Sequence, residues 1–418
     1  MTQTLVRVGT LLLAVAVLLV GHGLQLTLLP IRAEALGWST NAIGLTGSAY
    51  FLGFVAGCLV IPSVVAQVAH IRTFMVMAAV ATVALLGAGL LDYVAAWLLL
   101  RFATGFAFAG LYMVIESWLS EAAPADGRGS VLAVYSMISL LAMVLGQSFL
   151  GLSDPEDLRL VMGAALLLGL AIVPIGLTRM TAPHPIPRIR FSPRVLARSS
   201  RVAVVCVFFS GLVTGALWAV GPLVGRAYGL DTADIGLMMA TAIFGGALAQ
   251  IPVGRLSDRT DRRFVIAGLL GIGVLVSVAG WLFSAASPAV LFASMFAIGF
   301  TAMPLYALSI ATASDNSTLP LIQIASGILI MNSLGSIFGP LLVSPLVAWQ
   351  GGEGFFLFAG VSMALGGAFA LQRISVIERP KRHEQKFAPM PRTSIVAAEL
   401  AEPEQAHSAV EPEPDPVR

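Results

Sequence analysis

The sequence predicts an all-α polytopic membrane protein whose twelve transmembrane helices form two six-helix bundles related by a pseudo-twofold axis. Composition, the length of the apolar runs and an internal repeat predict it. Of the 418 residues, 57% are hydrophobic and 11% charged, with a mean hydropathy of 0.90. Soluble domains carry about 25% charged residues, and so few charges cannot cover the water-facing surface of a chain this long. The apolar runs are about 20 residues each, the length that a hydrocarbon core requires.

The same composition excludes several function classes. The net charge is +2 and the basic residues are dispersed between apolar runs, so nucleic-acid binding has no footprint. Cys58 and Cys206 both lie inside apolar runs, which implies neither a disulfide framework nor a zinc site. The chain holds no H-E-x-x-H, no G-x-S-x-G and no nucleotide-binding glycine loop, so we expect no enzyme, cofactor or metal.

Hydropathy and helix breakers place the first six spans near 8–31, 41–66, 73–91, 94–120, 129–151 and 159–178. The second six fall near 203–225, 233–253, 264–284, 288–311, 321–347 and 354–372. The first run is too long for the apolar region of a signal peptide and lacks a cleavage site, so it reads as a retained helix. Between the sets lies "RMTAPHPIPRIRFSPRVLARSSR", whose prolines and arginines suit a linker. The expected organisation is a bundle over 1–178, a basic cytoplasmic linker over 179–202, a second bundle over 203–375 and a disordered tail over 376–418. With the N-terminus inside, the cytoplasm receives Arg7, Arg72, Arg128, the linker arginines and Arg255, Arg259, Arg262 and Arg263. The opposite side receives only Arg32, Arg159 and Arg226. That asymmetry predicts that both termini are cytoplasmic.

The halves read as copies. Pro30, Gly37 and Ile43-Gly44-Leu45 recur as Pro222, Gly229 and Ile235-Gly236-Leu237, all at one interval. Pro62, Arg72 and Phe74 recur as Pro252, Arg262 and Phe264, "RFATGF" as "MFAIGF", Leu111-Tyr112 as Leu305-Tyr306, and Gly146 as Gly339. Parallel repeats of this kind place a site between the halves near the bilayer midplane, exposed alternately as one half rocks on the other.

The decapeptide "GRLSDRTDRR", Gly254 to Arg263, resembles the G-x-L-x-D-R-x-x-R-R signature of the major facilitator superfamily, in the expected loop between spans eight and nine. The resemblance covers about residues 8–375 and implies that fold. It also implies that Gly254, Asp258, Arg259, Arg262 and Arg263 form a cytoplasmic gate that latches helix ends while the protein faces outward. The first half departs from the signature, with Val64 and Val68 where Gly254 and Asp258 stand. "ESWL", "RGSVLAVY" and "LGQ" (Glu116–Leu119, Arg128–Tyr135, Leu145–Gln147) resemble the YcaD-like branch of bacterial members, which implies a bacterial cytoplasmic (inner) membrane.

Span four carries Arg101 and Glu116, and ionisable groups inside a bilayer default to function. Fifteen residues at about 1.5 Å separate them by roughly 22 Å, so they cannot pair with each other. "RFATG" resembles the superfamily's span-four R-x-x-x-G pattern, whose arginine is associated with proton transfer in some members. Glu116 reads either as a gate residue paired with Arg128 or as a proton carrier. His22, one turn from Gln25, either titrates in the cavity or packs between glycines. Arg101, Glu116 and His22 are thus the candidates for proton coupling. The candidate cavity residues are His22, Gln25, Arg101, Tyr112, Gln147, Thr214, Trp218, Tyr306, Gln323 and Asn332. They describe a cavity of few charges, suited to a neutral, amphipathic or modestly charged solute. "GSIFGP" lies in span eleven, not span five, and so does not mark an antiporter.

The expected function is secondary active transport of a small solute by alternating access. We expect proton coupling, an efflux direction, the lipid bilayer as surroundings and a monomer as working unit. An uptake permease for a sugar-like or organic solute, or a non-transporting membrane sensor, are the alternatives. If the latch belongs to one half only, Asp258→Asn slows turnover in proteoliposomes more than any substitution at Val68, and equal effects at both positions contradict it.

Overall fold

The computed structural model describes residues 2–122, 128–177, 200–315, 317 and 319–376. The expected linker at 179–202, apart from 200–202, and the expected tail at 376–418, apart from residue 376, lie outside the described residues. Twelve described helices are long and apolar enough to cross a membrane. In the first half they are α1 (Gly9–Ala35), α2 (Thr40–Val68), α3 (His70–Leu90), α4 (Val94–Ala122), α5 (Val131–Leu152) and α6 (Leu158–Gly176). In the second they are α7 (Arg201–Ala227), α8 (Thr232–Arg259), α9 (Arg262–Ala286), α10 (Pro288–Ser314), α11 (Leu321–Gln350) and α12 (Glu353–Ile374). α10 runs past the expected position 311 because "ATAS" is polar yet still helical.

Local sequence explains where these helices start. The turn into α2 reverses at Gly37 (φ +77°), and the turn into α8 reverses at Gly229 (φ +79°), a left-handed conformation that costs glycine little. Two residues later, Ser39 accepts the Ala42 N–H at 3.3 Å and Asp231 accepts the Asp234 N–H at 2.8 Å, each closing a helix N-terminus. The repeat seen in the sequence is therefore repeated in backbone geometry.

Packing repeats as well. α2 lies against α4 and α8 against α10, while α1 lies against α5 and α7 against α11. A Cβ placed on Gly105 would strike the Tyr50 carbonyl, and one on Gly299 would strike the Ala242 carbonyl, the corresponding contact in the other half. Gly146 against Val20 and Gly339 against Leu212 form a second matched pair. Small residues at these crossings let backbones approach in a solvent that gives helices no hydrophobic reason to associate. The symmetry is imperfect in one respect. α4 is continuous, whereas α10 breaks between Ala302 and Leu305, where Pro304 lacks the N–H that would continue the ladder.

Between the halves, α2 packs on α7 and α11, α5 on α8, and α1 on α7. The closest atomic contacts gather toward the end that bears Glu34. The Ser48 hydroxyl donates to the Ile337 carbonyl at 2.7 Å, Gly44 sits against Ser344, Gly47 against Ala219, and Gly236 against the Gln147 carbonyl. Glu34 and Arg226 form an ion pair at 3.5 Å. These two residues are separated by the interval that relates Gly37 to Gly229, so they are equivalent positions meeting on the pseudo-twofold axis. Exposed Tyr93, Trp281 and Trp349 mark the same end, as aromatic side chains do at a membrane interface.

Among the described residues Ala69, between α2 and α3, is the only non-glycine with positive φ, at +66°. The corresponding cap after α8, Thr260, is extended at φ −125°. A Cβ in the left-handed region costs on the order of 1 kcal/mol. Ala69→Gly therefore raises the melting temperature of the purified protein and Ala69→Val lowers it, and the opposite order contradicts the strain.

Candidate functional site

A cavity of about 240 Å³ lies between the halves. Its apolar wall includes Tyr50, Phe51 and Phe54 of α2, Tyr112 of α4, Met143 of α5, Trp218 of α7 and Met303 at the break of α10. Its polar groups are His22 of α1, Ser136 and Ser139 of α5, Thr214 of α7, Gln250 of α8, and Asn332, Ser333 and Ser336 of α11. Among the described residues, the lining contains no Asp, Glu, Lys or Arg. Helices of both halves therefore converge on an uncharged chamber, and the positions follow from the α2–α4 and α7–α11 crossings.

Five of the ten residues expected in the cavity line it: His22, Tyr112, Thr214, Trp218 and Asn332. The others are elsewhere. Gln25 is fully buried behind the wall, with its Nε2 2.8 Å from His22 Nδ1. Arg101 stands behind Tyr50, its guanidinium carbon 4.8 Å from the ring centroid. Gln147 sits toward the Glu34 end, its amide donating to the Gly23 carbonyl at 3.0 Å. Tyr306 is buried in α10, with only 1% of its surface exposed. Gln323 is exposed at the start of α11, because the helix turns it away from the chamber. Position along a span does not fix which face a polar residue occupies, and that separates the two groups.

Sequence reasoning missed Tyr50, Ser136, Ser139, Gln250, Ser333 and Ser336. The period-four spacing of Asn332 and Ser336, on one face of α11, was a signal that could have found the last. Most of the chamber's polar groups are already used within the protein. The Ser139 hydroxyl donates to the Tyr135 carbonyl at 2.7 Å, Thr214 to the Ser210 carbonyl at 2.8 Å, and the Asn332 amide to the Val207 carbonyl at 3.2 Å.

His22 is the hub of the chamber's first-half side. Its ring stacks on Phe108 with centroids 3.7 Å apart, and Nε2 lies 3.4 Å from the Tyr50 hydroxyl. With the Gln25 amide nitrogen donating to Nδ1, the proton sits on Nε2 and faces Tyr50, while Gln25 Oε1 has no partner. Arg101 is 4% exposed, has no carboxylate within ion-pair distance among the described residues, and its Nη1 lacks a hydrogen-bond partner. The Tyr50 ring face supplies its main visible compensation, through the attraction of a cation to a π-system.

Glu116 lies deeper along α4, fully buried, and accepts the Tyr135 hydroxyl at 2.9 Å. The expected partner Arg128 has its side chain outside the described residues. Beside Glu116, Ser117 is 3.0 Å from His70 at the start of α3. In the second half the corresponding place is ionic. Arg262 Nη1 donates to Asp315 and to the Ala311 carbonyl, both at 2.9 Å, and Nη2 to Asp258 at 3.3 Å. Asp261 accepts from Arg263 at 2.8 Å and also caps α9 through the Arg263 backbone N–H. Gly254 is buried and Arg259 exposed. This cluster ties the ends of α8, α9 and α10 within one half.

The family model of the Major Facilitator Superfamily matches residues 11–200 and 203–407. The chain is 28% identical over 344 residues to the MFS-type transporter YcaD of Escherichia coli O6:K15:H31 (strain 536 / UPEC), covering 81% of this chain and 87% of that one. It is 28% identical over 340 residues to an MFS-type transporter of Yersinia pestis (strain Pestoides F), covering 80% and 88%. Among solved structures, a bacterial homologue of the human lysosomal transporter Spinster, in an inward-facing and occupied conformation, superposes with a TM-score of 0.69 at 16% identity. That match covers 90% of this chain and 97% of the other. The nucleoside transporter NupG also gives 0.69 at 16% identity, covering 88% and 99%. These two likenesses concern the fold. With its repeated halves, its central chamber and a family match along most of its length, the chain belongs to the Major Facilitator Superfamily.

Proposed function

We propose that this chain is a proton-coupled secondary transporter that exports a small uncharged or weakly charged solute across the bacterial cytoplasmic membrane by alternating access. The observation that carries the reading is the charge-free chamber at the junction of two repeated halves whose closest contacts gather at one end. With both termini cytoplasmic, as the arginine distribution expects, that closed end faces outward and the chamber communicates with the cytoplasm. Rocking of 1–178 against 203–375 about the chamber then reverses the access. One chain holds both halves, so the monomer suffices.

His22 is the proton site in this scheme. A second proton on the ring makes Nδ1 a donor, and rotation of the Gln25 amide presents its unpartnered Oε1 to receive it. Glu116 belongs to the cytoplasmic gate with Arg128, together with the Asp258–Arg262 cluster. Export is favoured because the lining lacks the charged groups of a sugar-acid or phosphate site.

In inverted vesicles with an imposed proton gradient, a transported solute should dissipate the gradient, read by a pH-gradient dye. His22→Ala abolishes that response while solute binding persists, whereas Glu116→Gln retains it. Coupling that survives in His22→Ala refutes the assignment, and solute accumulation in right-side-out vesicles would make the protein an uptake permease.

The Glu34–Arg226 pair closes the outer end. Labelling of Ala219→Cys by a membrane-impermeant maleimide rises when Glu34→Arg is added and falls again with Arg226→Glu as well. Labelling indifferent to these charges excludes the pair from the gate.

A further inference from the structure

The polar side chains on the chamber wall are mostly engaged with the protein itself. The Ser139 hydroxyl gives its hydrogen to the Tyr135 carbonyl at 2.7 Å, Thr214 to the Ser210 carbonyl at 2.8 Å, and Ser336 to the Asn332 carbonyl at 3.1 Å. The Asn332 amide donates to the Val207 carbonyl at 3.2 Å, and His22 lies between Gln25 and Tyr50. The Ser136 hydroxyl and Gln250 Oε1 have no partner, but both are sealed within the wall, where a ligand does not touch them. What is left for a ligand is Ser333 and the polar edges of Tyr112, Trp218 and Gln250.

That scarcity decides the class of solute. A sugar or a nucleoside gives up many hydrogen bonds to water on entering and finds few in return, and a polar group buried without a partner is destabilising. An ion finds no counter-charge among the described lining residues. An apolar body has no such bonds to lose. It meets the rings of Tyr50, Phe51, Phe54 and Trp218 and the adaptable side chains of Met143 and Met303. Its gain grows with the apolar area removed from water. An apolar cavity of about 150 Å³ takes up benzene, so one of about 240 Å³ has room for a ring and a short chain.

We infer that the chamber selects a compact apolar solute, a ring with a short hydrocarbon chain and at most one uncharged polar group, and recognises it by shape and apolar contact. The inference rests on the transport reading in taking this chamber as the solute site, and it narrows that reading to molecules poor in hydrogen-bonding groups. Two side chains set the length limit. Met303 stands at the break of α10 and lies against Gly246, bounding the chamber from the second half, and Phe54 of α2 bounds it from the first.

The test is displacement of tritiated propylbenzene from the full-length purified protein in lipid nanodiscs. The competitors are benzene, its alkyl derivatives from methyl to octyl, glucose, uridine, benzoate and benzylammonium. Affinity, referred to the free aqueous concentration, rises roughly 3- to 4-fold with each methylene, the worth of one buried CH₂, and falls once the chamber is full. Met303→Ala moves that optimum to a longer chain, and Phe54→Ala does so from the other half, so a folding defect in one variant leaves the other to decide. Thr214→Val and Ser336→Ala, which strip hydroxyls from the wall, leave the series unchanged. No displaceable binding, or a chain-length dependence that is the same in both enlarged variants as in the parent, overturns the inference. So does glucose, uridine or either ion displacing the probe more strongly than toluene. Flux measurements keep the two ideas apart: binding of the series that drives no proton movement in vesicles counts against transport alone. Transport of a polyol or an ion that propylbenzene does not inhibit counts against this inference alone.

Discussion

In lipid, two helices gain nothing from hiding apolar surface against each other, so what holds them is how closely their backbones can come. Here that approach depends on glycines facing carbonyls, Gly105 on Tyr50 and Gly299 on Ala242, with Gly146 and Gly339 doing the same at the next crossing. Everything chemical hangs from those crossings. The α2–α4 contact seats Tyr50 between Arg101 and the chamber. The α7–α11 contact aims Asn332 and Ser336 at the same space. A side chain larger than hydrogen at any of these glycines would separate the helices and move the lining with them.

The placement of charge follows a related economy. Ions near the helix ends are surrounded by partners. Arg32 reaches the Glu156 and Gly89 carbonyls and Asp92, and Arg262 reaches Asp258 and Asp315. Arg101 stands in the interior against an aromatic face, with no carboxylate in reach among the described residues. Partnered charges staple a half into a rigid body. A cation set against a ring is sensitive to anything that changes the charge or position of its neighbours, among them His22 across the same tyrosine.

The fold was legible because each of its determinants is local or repeated. Twenty-residue apolar runs, Gly37 and Gly229 at matching turns, and the interval between copies required no knowledge of tertiary contacts. The site was half legible. His22, Thr214 and Trp218 announced themselves as polar or aromatic groups at mid-span, and they line the chamber. Gln323 did so equally and faces outward, and Tyr306 packs away from the space its copy Tyr112 helps to enclose. Which face of an almost uniformly apolar helix turns inward is decided by the crossings, and a weak periodicity cannot report it. Ser136 and Gln250 were invisible for a further reason: neither polar group is set apart from its apolar surroundings by any motif, and only the assembled molecule brings them to the chamber wall.

Glu34 and Arg226 occupy equivalent positions in the two copies and meet where the copies are related by rotation. In a dimer of identical halves, that meeting point would bring two glutamates or two arginines face to face, and they would repel. An attractive bond on the axis is available only once the copies are free to differ. The 3.5 Å contact is thus a fossil of divergence, an advantage that no ancestral homodimer could have possessed.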